Sequence, residues 1–187
     1  MSPIRSNTGF TLIEMIATVA VLAVLVAVGI PSFQETIDKR RLTGAAEQLQ
    51  ADLQYARSEA IKRNGNVFVT FTGSGTTWCY AISTAICDCS AASCLLDGVE
   101  KEVNQTGFRN VSVSQDITGS NLYFEPRRGI VKKDGAATNV NIGTGTITLK
   151  SNSGASNEKD LQIAVGTMGR VKICTPASYK VSGYPDC

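Results

Sequence analysis

The chain has 187 residues, enough for one domain with a real core, and a formal net charge of +2, so its charge total does not call for a nucleic-acid partner. It contains no histidine, which excludes Ser-His-Asp and Cys-His catalysis and every zinc motif built on histidine. A protein without enzymatic activity and without a cofactor is the expectation.

In chain order, residues 1–9 read MSPIRSNTG, a short polar segment carrying Arg5. Residues 10–30 read FTLIEMIATVAVLAVLVAVGI, an apolar run with one ionisable residue, Glu14. About 20 such residues cross a bilayer as a helix. In an ordinary secretory signal the apolar region precedes the cut and is discarded. Here the polar leader ends in Gly9 before the apolar run begins. A plain uncleaved anchor is the other simple reading. Neither accounts for Glu14, because a carboxylate inside a membrane helix costs about 2.5–3.5 kcal/mol.

The stretch Gly9-Phe10-Thr11-Leu12-Ile13-Glu14 resembles the processing site of type IV pilins and of type II secretion pseudopilins. The resemblance implies that an inner-membrane prepilin peptidase cuts after Gly9 and methylates the new amine on Phe10. It implies further that Glu14 pairs with the N-terminal amine of a neighbouring subunit. Two buried charges then neutralise each other and fix register during assembly, a role that buried ion pairs can serve. Pro31 also fits the family, where a proline near this place often marks a bend or a melted stretch. The implied partners are other pilins and minor pilins through this helix, the peptidase, and the inner membrane before assembly. The implied location is the inner membrane, single-pass with the head in the periplasm, and then a cell-surface pilus of a Gram-negative bacterium.

Beyond Pro31 the helical pattern resumes. Leu42, Ala46, Leu49, Leu53, Ala56 and Ala60 recur at spacings of four and three, one apolar stripe that predicts packing on a sheet. Glu47, Asp52, Arg57 and Glu59 are expected off the stripe. Asn64-Gly65 ends the helix, with Lys62 and Arg63 in its last turn. The remainder reads as strands. Val67, Val69 and Phe71 alternate with other residues, as do Trp78, Tyr80 and Ile82. Further candidates are residues 111–113, 122–124, 129–132, 138–142, 146–150, 161–165 and 169–174, with turn residues between them at 73–75, 143–145 and 151–157. Residues 83–93 and 151–157 are the candidate flexible segments. The expected fold class is therefore α+β: a long N-terminal helix, membrane half plus amphipathic half, packed on an antiparallel β-sheet head. The expected organisation is a cleaved leader at 1–9, a transmembrane and filament-core helix at 10–30, an amphipathic helix at 31–64 and a β-rich head at 65–187.

Six cysteines, Cys79, Cys87, Cys89, Cys94, Cys174 and Cys187, form an even set beyond the apolar run, which suits structural disulfides in an oxidising compartment. A four-cysteine metal site between Cys79 and Cys94 is the rival, but its spacing lacks paired C-x-x-C arms, so no metal is expected. Cys174 is expected to pair with Cys187 across a short loop. The other four would pair among themselves around a hairpin spanning residues 78–95.

The head resembles a subgroup, the GspH/FimT/FimU minor pilins. The resemblance rests on Ala56-Arg57-Ser58-Glu59-Ala60, on Phe124-x-Pro126-x-x-Gly129, and on Gly169-Arg170-x-Lys172-x-Cys174. It implies a minor type IV pilin at or near the pilus tip that initiates assembly, or alternatively a minor pseudopilin of type II secretion. Some competence-associated members bind DNA through a terminal Gly-Arg-x-Arg motif, which implies double-stranded DNA as a further partner in natural transformation. On a strand, Val171 and Ile173 would face the core while Arg170 and Lys172 share the exposed face, roughly 6–7 Å apart. Two such cations can contact neighbouring phosphates. Lys180 would assist from the tail, with Tyr179 and Tyr184 able to stack on bases. The chain has Lys172 where the DNA-binding pattern has Arg, which loses the bidentate fork. Alternating basic and apolar residues also describe an ordinary solvated strand. Two weaker basic clusters, Lys39-Arg40-Arg41 and Arg127-Arg128 with Lys132-Lys133, read as solvated faces. The disulfides lean toward a pilus protein, since the resemblance implies that the secretion pseudopilin usually lacks them.

Overall fold

A computed structural model describes residues 9–91, 94–116, 121–134, 145–152 and 159–187. The sequence-predicted strand at 138–142, most of the turn at 143–145, most of the flexible segment at 151–157, and residues 1–8 of the leader lie outside that set. The described chain is one long helix followed by short antiparallel strands, so the α+β class holds. Two compact units part between residues 37 and 38: Met1–Ile37, and Asp38–Cys187.

Helix α1 spans Leu12–Arg63 and stays helical through Pro31, so the melted stretch expected there is not seen. Its start is set by Thr11, whose Oγ1 accepts from the Glu14 amide at 3.4 Å. Thr11-x-x-Glu14 is thus the sequence of a capping box. Its end is a Schellman turn. Asn64 takes the left-handed conformation at φ 50°, the Gly65 amide donates to the Ala60 carbonyl at 3.2 Å, and the Asn64 amide donates to Ile61 at 3.3 Å. Asn64, rather than Gly65, supplies the left-handed residue.

Within the second unit the stripe from Leu42 to Ala60 is fully buried and forms the helical side of the core. Strands β1 (Val67–Ser74), β2 (Thr77–Ser83), β5 (Glu102–Asn104), β7 (Asn121–Phe124) and β8 (Val131–Asp134) make a sheet ordered β5-β2-β1-β7-β8. Strands β6 (Val111–Gln115), β9 (Gly145–Ser151), β10 (Asp160–Val165) and β11 (Val171–Cys174) make a second, ordered β11-β10-β9-β6. A small ribbon joins β3 (Leu95–Leu96) to β4 (Val99–Glu100). Among the described residues the pairings between these strands are antiparallel. Gly75 and Val113 exchange two 3.0 Å backbone hydrogen bonds and tie the sheets together. In β9 the odd-numbered residues are buried and the even ones half-exposed, the alternation of a sheet with one face in the core.

Strand β2 departs from the expected alternation. Every residue from Trp78 to Ser83 is buried. One face carries Trp78, Tyr80 and Ile82 into the main core; the other carries Cys79 and Ala81 under a disulfide cluster with Cys89 and Cys94. The expected hairpin at 78–95 is also absent. β2 makes its hairpin with β1, and a cysteine-rich loop leads from β2 to β3. That loop is covalently pinned, not free. Glu59 also departs from expectation: it is buried beside the stripe, where Arg63 Nε at 2.7 Å and Lys62 Nζ at 3.3 Å satisfy it. These bonds, with Arg63 first, hold its carboxyl below the usual carboxylate range. Arg63 in turn pairs with Asp97 in the β3–β4 turn, whose carboxyl it likewise lowers. Asp52 accepts from the Tyr80 hydroxyl at 2.7 Å, joining helix and sheet; burial, then Asp52, pushes that phenol up.

Candidate functional site

The first unit presents its apolar side chains outward. Phe10, Leu12, Ile13, Met15, Leu22 and Leu25 are all well exposed. Gly9 is exposed, and a Cβ placed on it would meet nothing within 4 Å. The fold therefore makes no demand for glycine there. Glu14 is exposed among these apolar residues. Sequence reasoning missed that Glu14 also stands at the third position of the helix opened by Thr11, where a carboxylate suits the helix N-terminus. Among the described residues, no helix is long and apolar enough to cross a membrane.

Disulfides join Cys79 to Cys89, Cys87 to Cys94 and Cys174 to Cys187. The first two interlock along the sequence, and the third closes a loop with a sequence separation of 13. No cysteine is free, and among the described residues no cluster suits a metal ion.

The tail inside the Cys174–Cys187 loop docks back on α1. The Tyr184 hydroxyl donates to Glu47 at 2.7 Å, and Lys39 Nζ donates to Ser182 Oγ at 2.6 Å. Burial and then Glu47 push the Tyr184 phenol up to about 12. This half-buried, hydrogen-bonded ring is not a free stacking platform, whereas Tyr179 is exposed. Arg41 pairs locally with Asp38 at 3.5 Å. In the other basic cluster, Lys132 pairs with Glu125 at 3.4 Å.

Val171 and Ile173 are buried and Lys172 is exposed, the alternation expected of the terminal strand. Arg170, however, precedes β11. It lies in the turn after β10, where its carbonyl accepts from the Gly166 amide at 2.9 Å. Arg170 and Lys172 nevertheless border one groove of about 420 Å³. Asp186 lines the same groove and holds Lys180 at 2.9 Å. The structure thus brings Arg170 and Lys172 together and gives Lys180 to a carboxylate.

Comparison with known proteins places both halves. Residues 4–30 match the Prokaryotic N-terminal methylation motif. Residues 45–180 match the family described as Type II transport protein GspH. Two crystal forms of the Pseudomonas aeruginosa type IV minor pilin FimU share the fold, each with a TM-score of 0.50. They are 20% and 21% identical, over 75% and 78% of this chain and 97% and 95% of theirs. No curated protein matches. A methylation motif leading into such a head defines the class, a pilin-like subunit that is structural and not enzymatic. The chain belongs to the GspH family.

Proposed function

We propose that this protein is a minor type IV pilin, cut after Gly9, N-methylated on Phe10, held in the inner membrane by residues 10–30, and then built into a pilus at or near its tip to initiate assembly. The observation that carries this reading is the exposed apolar helix with Glu14 as its one ionisable group. Such a surface needs lipid or neighbouring helices to cover it, and the full sequence run from 10 to 30 has bilayer length. The three disulfides and the likeness to FimU support a pilus over a secretion pseudopilus.

DNA capture is a second reading, favoured by the exposure of Arg170 and Lys172 on one groove. Asp186 in that groove opposes it, because a phosphate would meet its negative charge.

One experiment addresses both. Filaments sheared from cells carrying the wild type, Glu14→Gln, or the Arg170→Ala/Lys172→Ala pair are probed for the protein, and DNA uptake is scored in parallel. Glutamine keeps the capping-box chemistry of Glu14 and removes its charge. The variant is expected to accumulate in the membrane and drop out of the filament. Normal incorporation would contradict the pairing with a neighbour's amine. The double variant is expected to retain pili; uptake equal to wild type would remove the DNA reading.

A further inference from the structure

The three head motifs, separate in sequence, meet at one side chain. Arg57, from the Ala56–Ala60 stretch, lies between Gly129 and Gly169. Both glycines have left-handed backbones, at φ 59° and 72°. A Cβ on Gly129 would stand 2.6 Å from Arg57 Nε, and one on Gly169 would stand 2.8 Å from it. A Cβ on Gly169 would also approach the Gly129 carbonyl oxygen to 2.3 Å. Any other residue at either position would displace the guanidinium. Two turns are thus kept bare to seat one arginine.

That arginine is left without a partner among the described residues. Its Nε is buried without a hydrogen bond, and among the described residues no carboxylate pairs with it. Buried donors normally find acceptors, and one left alone carries a desolvation cost. The guanidinium borders a groove of about 390 Å³ lined by Gln54, Ser58, Ile61, Gly169 and Arg170. Every ionisable group in that lining is cationic, unlike the neighbouring groove that contains Asp186. Ile61 is 51% exposed at its edge, an apolar wall beside the charges.

We propose that this groove receives an acidic side chain of a neighbouring pilin-type subunit, its carboxylate accepting from the Arg57 guanidinium with Gln54 as a further donor. A planar carboxylate matches a guanidinium in bidentate fashion. The apolar wall favours a protein partner over a phosphate backbone, whose interfaces are more polar and more strongly positive. The inference rests on the reading of the chain as a filament subunit.

The test uses the full-length chain in its own cells and compares the sheared-filament fraction with the membrane pool. Arg57→Gln is expected to lower incorporation at least about tenfold, as the loss of one partner of an interfacial charge pair does. Ile61→Glu places a carboxylate one turn from Arg57, where it occupies the guanidinium from within the chain. It is expected to keep Trp78 fluorescence and the disulfide pattern and to lower incorporation comparably. Wild-type incorporation of Ile61→Glu would overturn the proposal, including where Arg57→Gln fails to accumulate. So would wild-type incorporation of a stable Arg57→Gln. Loss of DNA uptake with normal incorporation would assign the groove to phosphate and overturn it as well. Absence of the wild type itself from filaments would instead overturn the underlying pilin reading, and the inference with it.

Discussion

Two pairs of leucines on α1 have the same side chain and opposite fates. Leu22 and Leu25 are 64% and 67% exposed, whereas Leu49 and Leu53 are 1% and 0% exposed. The leucine side chain itself is the same in both, so what differs is the surface around it. Leu49 and Leu53 belong to a narrow stripe with polar flanks, and two sheets of the same chain cover it. Leu22 and Leu25 belong to a run that is apolar on all sides, and among the described residues nothing covers them. A stripe marks a helix whose partner is intramolecular. An all-round apolar helix marks one whose partner is a membrane or another molecule.

The largest expected effect tests that contrast directly. Leu53→Ala should destabilise the head by about 2–5 kcal/mol, the cost of a buried truncation. Leu22→Ala should leave it within about 0.5 kcal/mol of wild type. Urea unfolding of the detergent-solubilised chain, followed through Trp78, checks both. Trp78 suits the purpose because it is the single tryptophan and its Nε1 donates to the Val111 carbonyl in the core at 2.8 Å. Equal losses in the two variants would break the comparison.

A comparable effect is expected from the tail. Replacing Cys174 and Cys187 together by serine should cost roughly 3 kcal/mol in the chain-entropy picture of a loop this size. It should also loosen the Tyr184–Glu47 contact to α1, read as faster amide exchange in the tail. Unchanged stability would mean that the loop is held by its packing alone.

The smallest effect concerns pH. Glu59 and Asp97 both titrate below their usual values in the folded chain, each through Arg63 first. Their contribution is therefore present above the unfolded carboxylate range and is lost as pH falls through and below about 4. Glu59→Gln should lower the melting temperature at neutral pH and flatten its acid decline. A decline as steep as that of the wild type would show that other carboxylates carry it.

Much of this was legible in residue spacing. The buried stripe from Leu42 to Ala60, the helix end at Asn64, and the strands around Val67, Leu149 and Ile163 follow from local periodicity and turn chemistry. The small strands β3, β4 and β5 escaped notice because two or three residues are too few to show a period. The double burial of β2 escaped because its second cover is a disulfide cluster, and cysteine pairing is a long-range fact. Glu59 looked like a surface charge because its pairing with Arg63 and Lys62 leaves no trace in the hydrophobic spacing. Arg170 looked like a strand residue until Gly169 took a left-handed turn in front of it. The candidate processing residues are different in kind. Gly9 and Phe10 were legible only as part of a motif, and Glu14 chiefly so, since its capping position is its one role in the described fold.

Mass spectrometry of the N-terminal peptide, from the chain isolated out of its own cell membranes, tests the central claim most directly. The account predicts a mature chain that begins at Phe10 and carries one methyl group on its α-amine. A chain that keeps Met1, or is cut beyond Ala17, would contradict it.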